Sequence, residues 1–135
     1  MIPLARFLLV LVAIMALQEV NAGLMSIFFP VHVLITNKLP GGVMLRVHCK
    51  SKDDDLGFRN IAPNQSWGFK FKPNGFTTLF FCSMQWPGHF HYFNVYNDQT
   101  FLNGESGQWM ITPKGPCRRE TWDLGVLRDC YRWRS

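Results

Sequence analysis

Apolar and polar residues alternate with a period of two along most of the chain. Residues 44–50 (MLRVHCK) put Leu45, Val47 and Cys49 on one face and Met44, Arg46, His48 and Lys50 on the other, as a half-buried strand does. Trp67, Phe69 and Phe71 alternate in the same way with Gly68, Lys70 and Lys72, so their rings share a face. Residues 31–37 (VHVLITN) are rich in β-branched side chains and run into Lys38-Leu39-Pro40-Gly41-Gly42, a turn. Residues 77–84 (TTLFFCSM) are almost continuously apolar and predict a central strand, which Trp86-Pro87-Gly88 ends. Residues 89–96 (HFHYFNVY) predict another, with Phe90, Tyr92, Asn94 and Tyr96 on one face. Residues 108–112 and 129–133 predict two further short strands, and residues 51–57 (SKDDDLG) a polar loop. Beyond residue 22 no stretch sustains the 3.6-residue apolar period of a helix. Turn signals recur about every 8–12 residues, the pattern of an all-β fold, here a small antiparallel β-sandwich of two sheets. The core expected from these faces is Val33, Ile35, Leu45, Val47, Trp67, Phe69, Phe71, Leu79, Phe81 and Trp109.

The start of the chain follows a different rule. Arg6 precedes eleven apolar residues, FLLVLVAIMAL, and Val20-Asn21-Ala22 then offers the small residues a signal peptidase reads. Residues 1–22 are therefore expected to be a secretory signal peptide, and residues 23–135 one domain. Eleven residues at ~1.5 Å each do not cross ~30 Å of hydrocarbon, so no stable membrane insertion is expected. The 135 residues leave no room for a TIM barrel, a kinase or a two-domain dehydrogenase. With 47% hydrophobic residues and 12 Phe, 5 Trp and 3 Tyr, the chain can fill a core. The net charge of +5 is spread without a basic run and does not predict a nucleic-acid partner.

Secretion makes the cysteines informative. Cys49, Cys82, Cys117 and Cys130 are an even set in an oxidising compartment, without the paired Cys-x-x-Cys spacing of a zinc site, and predict two disulfides. Three pairings are open. Cys49 and Cys82 both fall in strands and would meet only if those strands faced each other across the sandwich. That favours Cys49–Cys130 with Cys82–Cys117, which would tie the C-terminal tail to the body. Asn64-Gln65-Ser66 is a glycosylation sequon and predicts an exposed loop.

Candidate chemistry is sparse. His89 and His91 share a strand face, with His48 a candidate third, and two histidines can serve a ribonuclease as base and acid. The FHGLWP-like and KHGTC-like signatures of secreted ribonucleases are absent, and ordinary strand histidines beside aromatics are the favoured reading. Asp53-Asp54-Asp55 lacks the spaced oxygens of a calcium loop and reads as a solvated acidic turn beside Lys50 and Lys52. No Gly-x-Ser-x-Gly elbow or phosphate loop occurs. Arg118, Arg119, Arg128, Arg132 and Arg134, with Trp122 and Trp133 among them, read first as scattered charge and second as a patch for anionic polysaccharide or lipid head groups.

Several stretches together resemble the plant self-incompatibility protein S1 family, the S-protein homologues. They are VLITNKL at 33–39, LRVHCKSKDDDLG at 45–57, WGFKF at 67–71, TTLFFC at 77–82, FNVY at 93–96, Trp109, Gly115-Pro116-Cys117 and Cys130-Tyr131-Arg132-Trp133. They appear in the family's order and cover residues 31–133. Many members carry a Cys-x-x-Cys shortly before the tryptophan equivalent to Trp109; here Gly104-Glu105-Ser106-Gly107 stands in that place. The resemblance implies a small secreted β-sandwich without catalytic activity or cofactor, an extracellular recognition or signalling ligand. A plasma-membrane receptor ectodomain is the expected partner and a monomer the expected state. Founding members are pistil-secreted proteins recognised by pollen. The alternatives are a small secreted ribonuclease or hydrolase, and a carbohydrate- or membrane-binding defence protein. In a small sandwich the interior is filled, so recognition is expected on the loops at its ends. The candidates are residues 51–66, with Asp53, Asp54, Asp55 and the Asn64 sequon, and residues 97–108, with Asp98, Asn103 and Glu105.

Overall fold

The structure is a computed structural model and describes residues 4–6, 8–10, 30–74, 77–98, 107–119 and 127–134. Among the described residues nine strands form: β1 Val31–Asn37, β2 Leu45–Lys50, β3 Asp55–Ile61, β4 Ser66–Phe71, β5 Leu79–Trp86, β6 His89–Asn97, β7 Gly107–Thr112, β8 Gly115–Arg119 and β9 Leu127–Cys130. They make two sheets, one of five strands in the order β4-β1-β7-β8-β9 and one of four in the order β3-β2-β5-β6. All pairs are antiparallel except β1 with β7, which run parallel from Val33↔Gly107 to Asn37↔Ile111. The two-sheet sandwich expected from the alternating pattern is present. No helix among the described residues is long and apolar enough to cross a membrane.

The core lies between the sheets. Val33 and Ile35 from β1, Leu45, Val47 and Cys49 from β2, and Ile111 from β7 are fully buried. Phe80, Cys82, Met84 and Trp86 fill the layer from β5, beside Val95 and Tyr96 of the neighbouring β6. Trp67, Phe69 and Phe71 on the edge strand β4 are half-buried against this core, and Phe71 meets Phe80 with ring centroids 4.5 Å apart. Aromatic pairs in such tilted or edge arrangements add to the area they bury.

Two expectations about the core need correction. Leu79 and Phe81 are exposed, and Phe80 takes the inner place. A continuous apolar run carries no parity of its own; β5 alternates without a break from Leu79 to Trp86 with Phe80 inside, and its register shift against β6 places the extra residue, Val95, on β6. The same irregularity, with Phe80 opposite Tyr96 and Phe81 opposite Asn94, turns Tyr96 inward while Phe90, Tyr92 and Asn94 face out. Second, residues 51–66 are not one loop. β3 occupies Asp55–Ile61, an edge strand mostly exposed and so without strong apolar alternation.

The disulfides pair as Cys49–Cys82 and Cys117–Cys130, not as expected. Cys49 and Cys82 sit directly opposite each other on β2 and β5, with Cα atoms 4.0 Å apart. Neighbouring strands bring opposed side chains within reach on the same face, so no crossing between sheets is needed. Cys117 and Cys130 likewise face each other across β8 and β9.

Candidate functional site

The described parts of the two expected loops differ in character. After β2, Ser51 and Asp54 close a tight turn: the Ser51 amide donates to the Asp54 carbonyl at 2.8 Å, and the Asp54 amide to Ser51 Oγ at 3.1 Å. Asp53, Asp54 and Asp55 are all exposed. Asp55 is nevertheless engaged, because its Oδ1 lies 2.6 Å from His48 Nε2 and accepts the Gly57 amide at 2.9 Å. The Gly57 hydrogen bond first, and then the His48 contact, hold its carboxyl below the usual carboxylate value. Gly57 takes φ +73°, a conformation that suits glycine and lets its amide turn back to Asp55. Asp53 and Asp54 are thus presented on a hydrogen-bonded hairpin tip, and Asp55 helps to hold it.

Asp98 is a structural residue. Its Oδ1 accepts the Tyr96 hydroxyl at 2.6 Å and its Oδ2 the Thr78 amide at 2.9 Å. Asn103 and Glu105 lie outside the described residues, as does Trp122. Asn64 is exposed, at φ +63°, in the turn closed by the Gln65 amide on the Ala62 carbonyl, and its Oδ1 accepts from Lys38 Nζ at 3.3 Å.

The hairpin tip adjoins a surface that loop reasoning did not single out. On the outward face of the four-stranded sheet, cross-strand rows run Asn60–Arg46–Gln85–Phe90 and Phe58–His48–Ser83–Tyr92, and Lys50 lies opposite Phe81. Phe58, Phe90 and Tyr92 are 56%, 59% and 61% exposed, with Met44 and Phe81 also open to solvent. The Arg46 guanidinium lies over the Phe58 ring at 4.0 Å, and the His48 ring meets the same ring, tilted, with centroids 4.2 Å apart. The outward positions of residues 89–96 were legible as one face, but only the pairing of four strands joins them to Phe58 and Phe81.

His89 and His91 come together as their strand face implied, with ring centroids 5.9 Å apart beside Trp86, but His48 does not join them. His48 lies on the outward face of β2, whereas His91 pairs with the inward Met84 and stacks on Trp133 at 4.6 Å, and His89 stacks on Trp86 at 4.7 Å. Among the described residues no three His, Cys, Asp or Glu side chains come together as metal ligands would. Of the five C-terminal arginines, Arg118, Arg132 and Arg134 line one groove with Tyr92, Tyr131 and Trp133. Arg119 and Arg128 belong to β8 and β9.

These features define a small two-sheet β-sandwich with a disulfide in each sheet and an aromatic outer face. The family model described as plant self-incompatibility protein S1 matches residues 32–133. S-protein homolog 4 of Arabidopsis thaliana is 44% identical over 108 residues, covering 75% of this chain and 70% of that protein. S-protein homolog 5 of Arabidopsis thaliana is 41% identical over 109 residues, covering 79% and 81%. A solved structure of SPH (self-incompatibility protein homologue) proteins, described as a widespread family of small, highly stable, secreted proteins from plants, superposes with a TM-score of 0.58 at 19% identity, over 78% of this chain and 96% of that one. The chain belongs to the plant self-incompatibility protein S1 family, as its sequence motifs implied.

Proposed function

We propose that this protein is a secreted, non-catalytic recognition ligand for a plasma-membrane receptor ectodomain, exported by cleavage after Ala22 and acting as a monomer. The observation that carries the reading is the exposed aromatic face of β3-β2-β5-β6, contiguous with the acidic β2–β3 tip. Large apolar side chains clustered in water mark interaction surfaces, and aromatics with arginine are the residue types enriched there. The receptor reads Asp53 and Asp54 together with Phe58 and its neighbours. The charges steer the encounter and the rings supply the buried area. The described secretion of the family's proteins and the leader at residues 1–22 support an extracellular place of action. In that compartment Asn64, exposed on its turn, is a glycan acceptor.

The test is binding of the labelled, disulfide-intact protein to intact plant cells. The expected result is saturable, protease-sensitive binding at the cell surface that the unlabelled protein displaces. Asp53→Ala/Asp54→Ala slows association, and Phe58→Ser raises the dissociation rate. Neither changes the melting temperature by more than a few degrees, because both sites are exposed. Binding that does not saturate, or that is indifferent to all three substitutions, overturns the reading.

A further inference from the structure

At the far edge of the four-stranded sheet, β6 and the segment after β9 enclose a groove of about 760 Å³. This lies within the ~300–1,000 Å³ range of small-ligand sites. Phe93 and Trp109 form its floor, edge to face at 5.0 Å. Tyr92 and Tyr131 stand at its rim, 61% and 53% exposed. Arg118, Arg132 and Arg134 line it, and among the described residues no acidic side chain does.

The rim is held in place. The Tyr131 amide donates to the Pro116 carbonyl at 2.9 Å and the Trp133 amide to the Lys114 carbonyl at 3.1 Å. Trp133 Nε1 donates to the Thr112 carbonyl at 3.3 Å, its ring stacks on His91, and the Cys117–Cys130 bridge lies one residue before Tyr131. Gly115 lets this segment approach, since a Cβ there would strike the Tyr131 carbonyl. The segment is therefore ordered before any ligand arrives, which lowers the entropic cost of binding.

We propose that this groove binds an acidic oligosaccharide, a chain of uronic-acid sugars. Exposed phenol rings offer flat apolar faces to the C–H faces of pyranose rings, and guanidinium groups match carboxylates in a two-point geometry. Asn94 and Asn97, also lining the groove, carry amides that can both donate to and accept from hydroxyls. Tyr92 and Tyr131 stack the sugars, and Arg132 and Arg134 take the carboxylates. A nucleic acid, with one charge per ~1.7 Å of duplex, calls for a longer cationic track than this groove provides. Recognition of an anionic bilayer calls for a cluster of about four to eight Lys or Arg, and among the described residues three arginines line this groove. The site shares Tyr92 with the aromatic outer face, but the acidic hairpin tip lies outside it.

The test is titration calorimetry of the intact protein with a short de-esterified oligogalacturonide, its methyl ester, a neutral cello-oligosaccharide, a DNA duplex and phosphatidylserine vesicles at one salt concentration, with the acidic sugar repeated over a salt series. The acidic sugar is expected to bind best, more weakly as salt rises. Arg132→Ser/Arg134→Ser weakens it at least about tenfold, Arg132→Lys/Arg134→Lys by less, and Tyr131→Ser severalfold. Both arginines are exposed, so the double variant retains the fold even where a Tyr131 change does not. Asp53→Ala/Asp54→Ala leaves sugar binding unchanged, which separates this site from the receptor reading. Equal binding of the methyl ester or the neutral sugar, an unaffected Arg132→Ser/Arg134→Ser variant, or equally tight binding of DNA or vesicles overturns the proposal.

Discussion

Asn37 is fully buried, and every polar atom of its side chain is used. Its Nδ2 donates to the Val43 and Ile61 carbonyls, each at 2.9 Å, and its Oδ1 accepts the Leu39 amide at 3.0 Å. The residue thereby ties the end of β1 to the turn before β2 and to the end of β3, while its carbonyl accepts the Asn64 amide at 2.9 Å. Asn37→Ala leaves those groups unpaired in the interior and is expected to cost about 2–4 kcal/mol, measured by denaturant unfolding. Asn37→Asp is expected to cost as much, because the carboxylate can only accept where Nδ2 donated. Tyr96 makes a second prediction. Burial first, and then the Asp98 carboxylate, push its phenol above the ordinary value of 10.0. A phenol with a folded pKa above its unfolded one stabilises the fold in its protonated form. That contribution is whole below about pH 10 and is lost as pH rises beyond it. The melting temperature is expected to fall above about pH 10, and Tyr96→Phe to flatten that decline. An unchanged alkaline limb in the variant would assign it to other groups.

β5 shows what an element's pattern can and cannot say. Its apolar character announced a strand between two neighbours, and β2 and β6 do flank it. Its facing was not readable, since Leu79, Phe80 and Phe81 are all apolar and period-two logic needs a polar partner in alternate places. Phe80→Ala is expected to cost about 3–5 kcal/mol and Phe81→Ala less than about 1 kcal/mol. Thermal melts of the two variants check the parity, and equal losses would contradict it. β2, by contrast, alternated cleanly, and Leu45, Val47 and Cys49 lie inside as expected. β3 went unseen because its residues are mostly exposed, and its pairing comes from β2 rather than from its own composition. β8 was missed for a related reason. A five-residue strand carrying Gly115, Pro116 and two arginines lacks strand-forming character, and its neighbours β7 and β9 define it.

At the scale of the whole molecule, each disulfide staples one sheet. Closing loops of 13 and 33 residues removes about 3 and about 4 kcal/mol of unfolded-chain entropy, respectively. Cys49 and Cys82 are fully buried, while Cys130 is exposed. Mild reductant followed by alkylation and peptide mapping is expected to open Cys117–Cys130 first, with the loss of oligosaccharide binding before the loss of the sandwich. Recovery of a Cys49–Cys130 peptide from the unreduced protein would refute the pairing.

Alternation and motif order are local properties, and they suffice for the two β-sheets, for the core places of Val33, Ile35, Leu45, Val47 and Trp109, and for the family. The folded chain as a whole sets which strands are neighbours. Through that it decides the disulfide partners, the inward turn of Phe80, the union of Phe58, Phe81, Phe90 and Tyr92 on one outer face, and the meeting of Arg118 with Arg132 and Arg134 in one groove. Each of these joins residues far apart in the chain, and a side chain's own pattern records which way it faces but not what lies beside it.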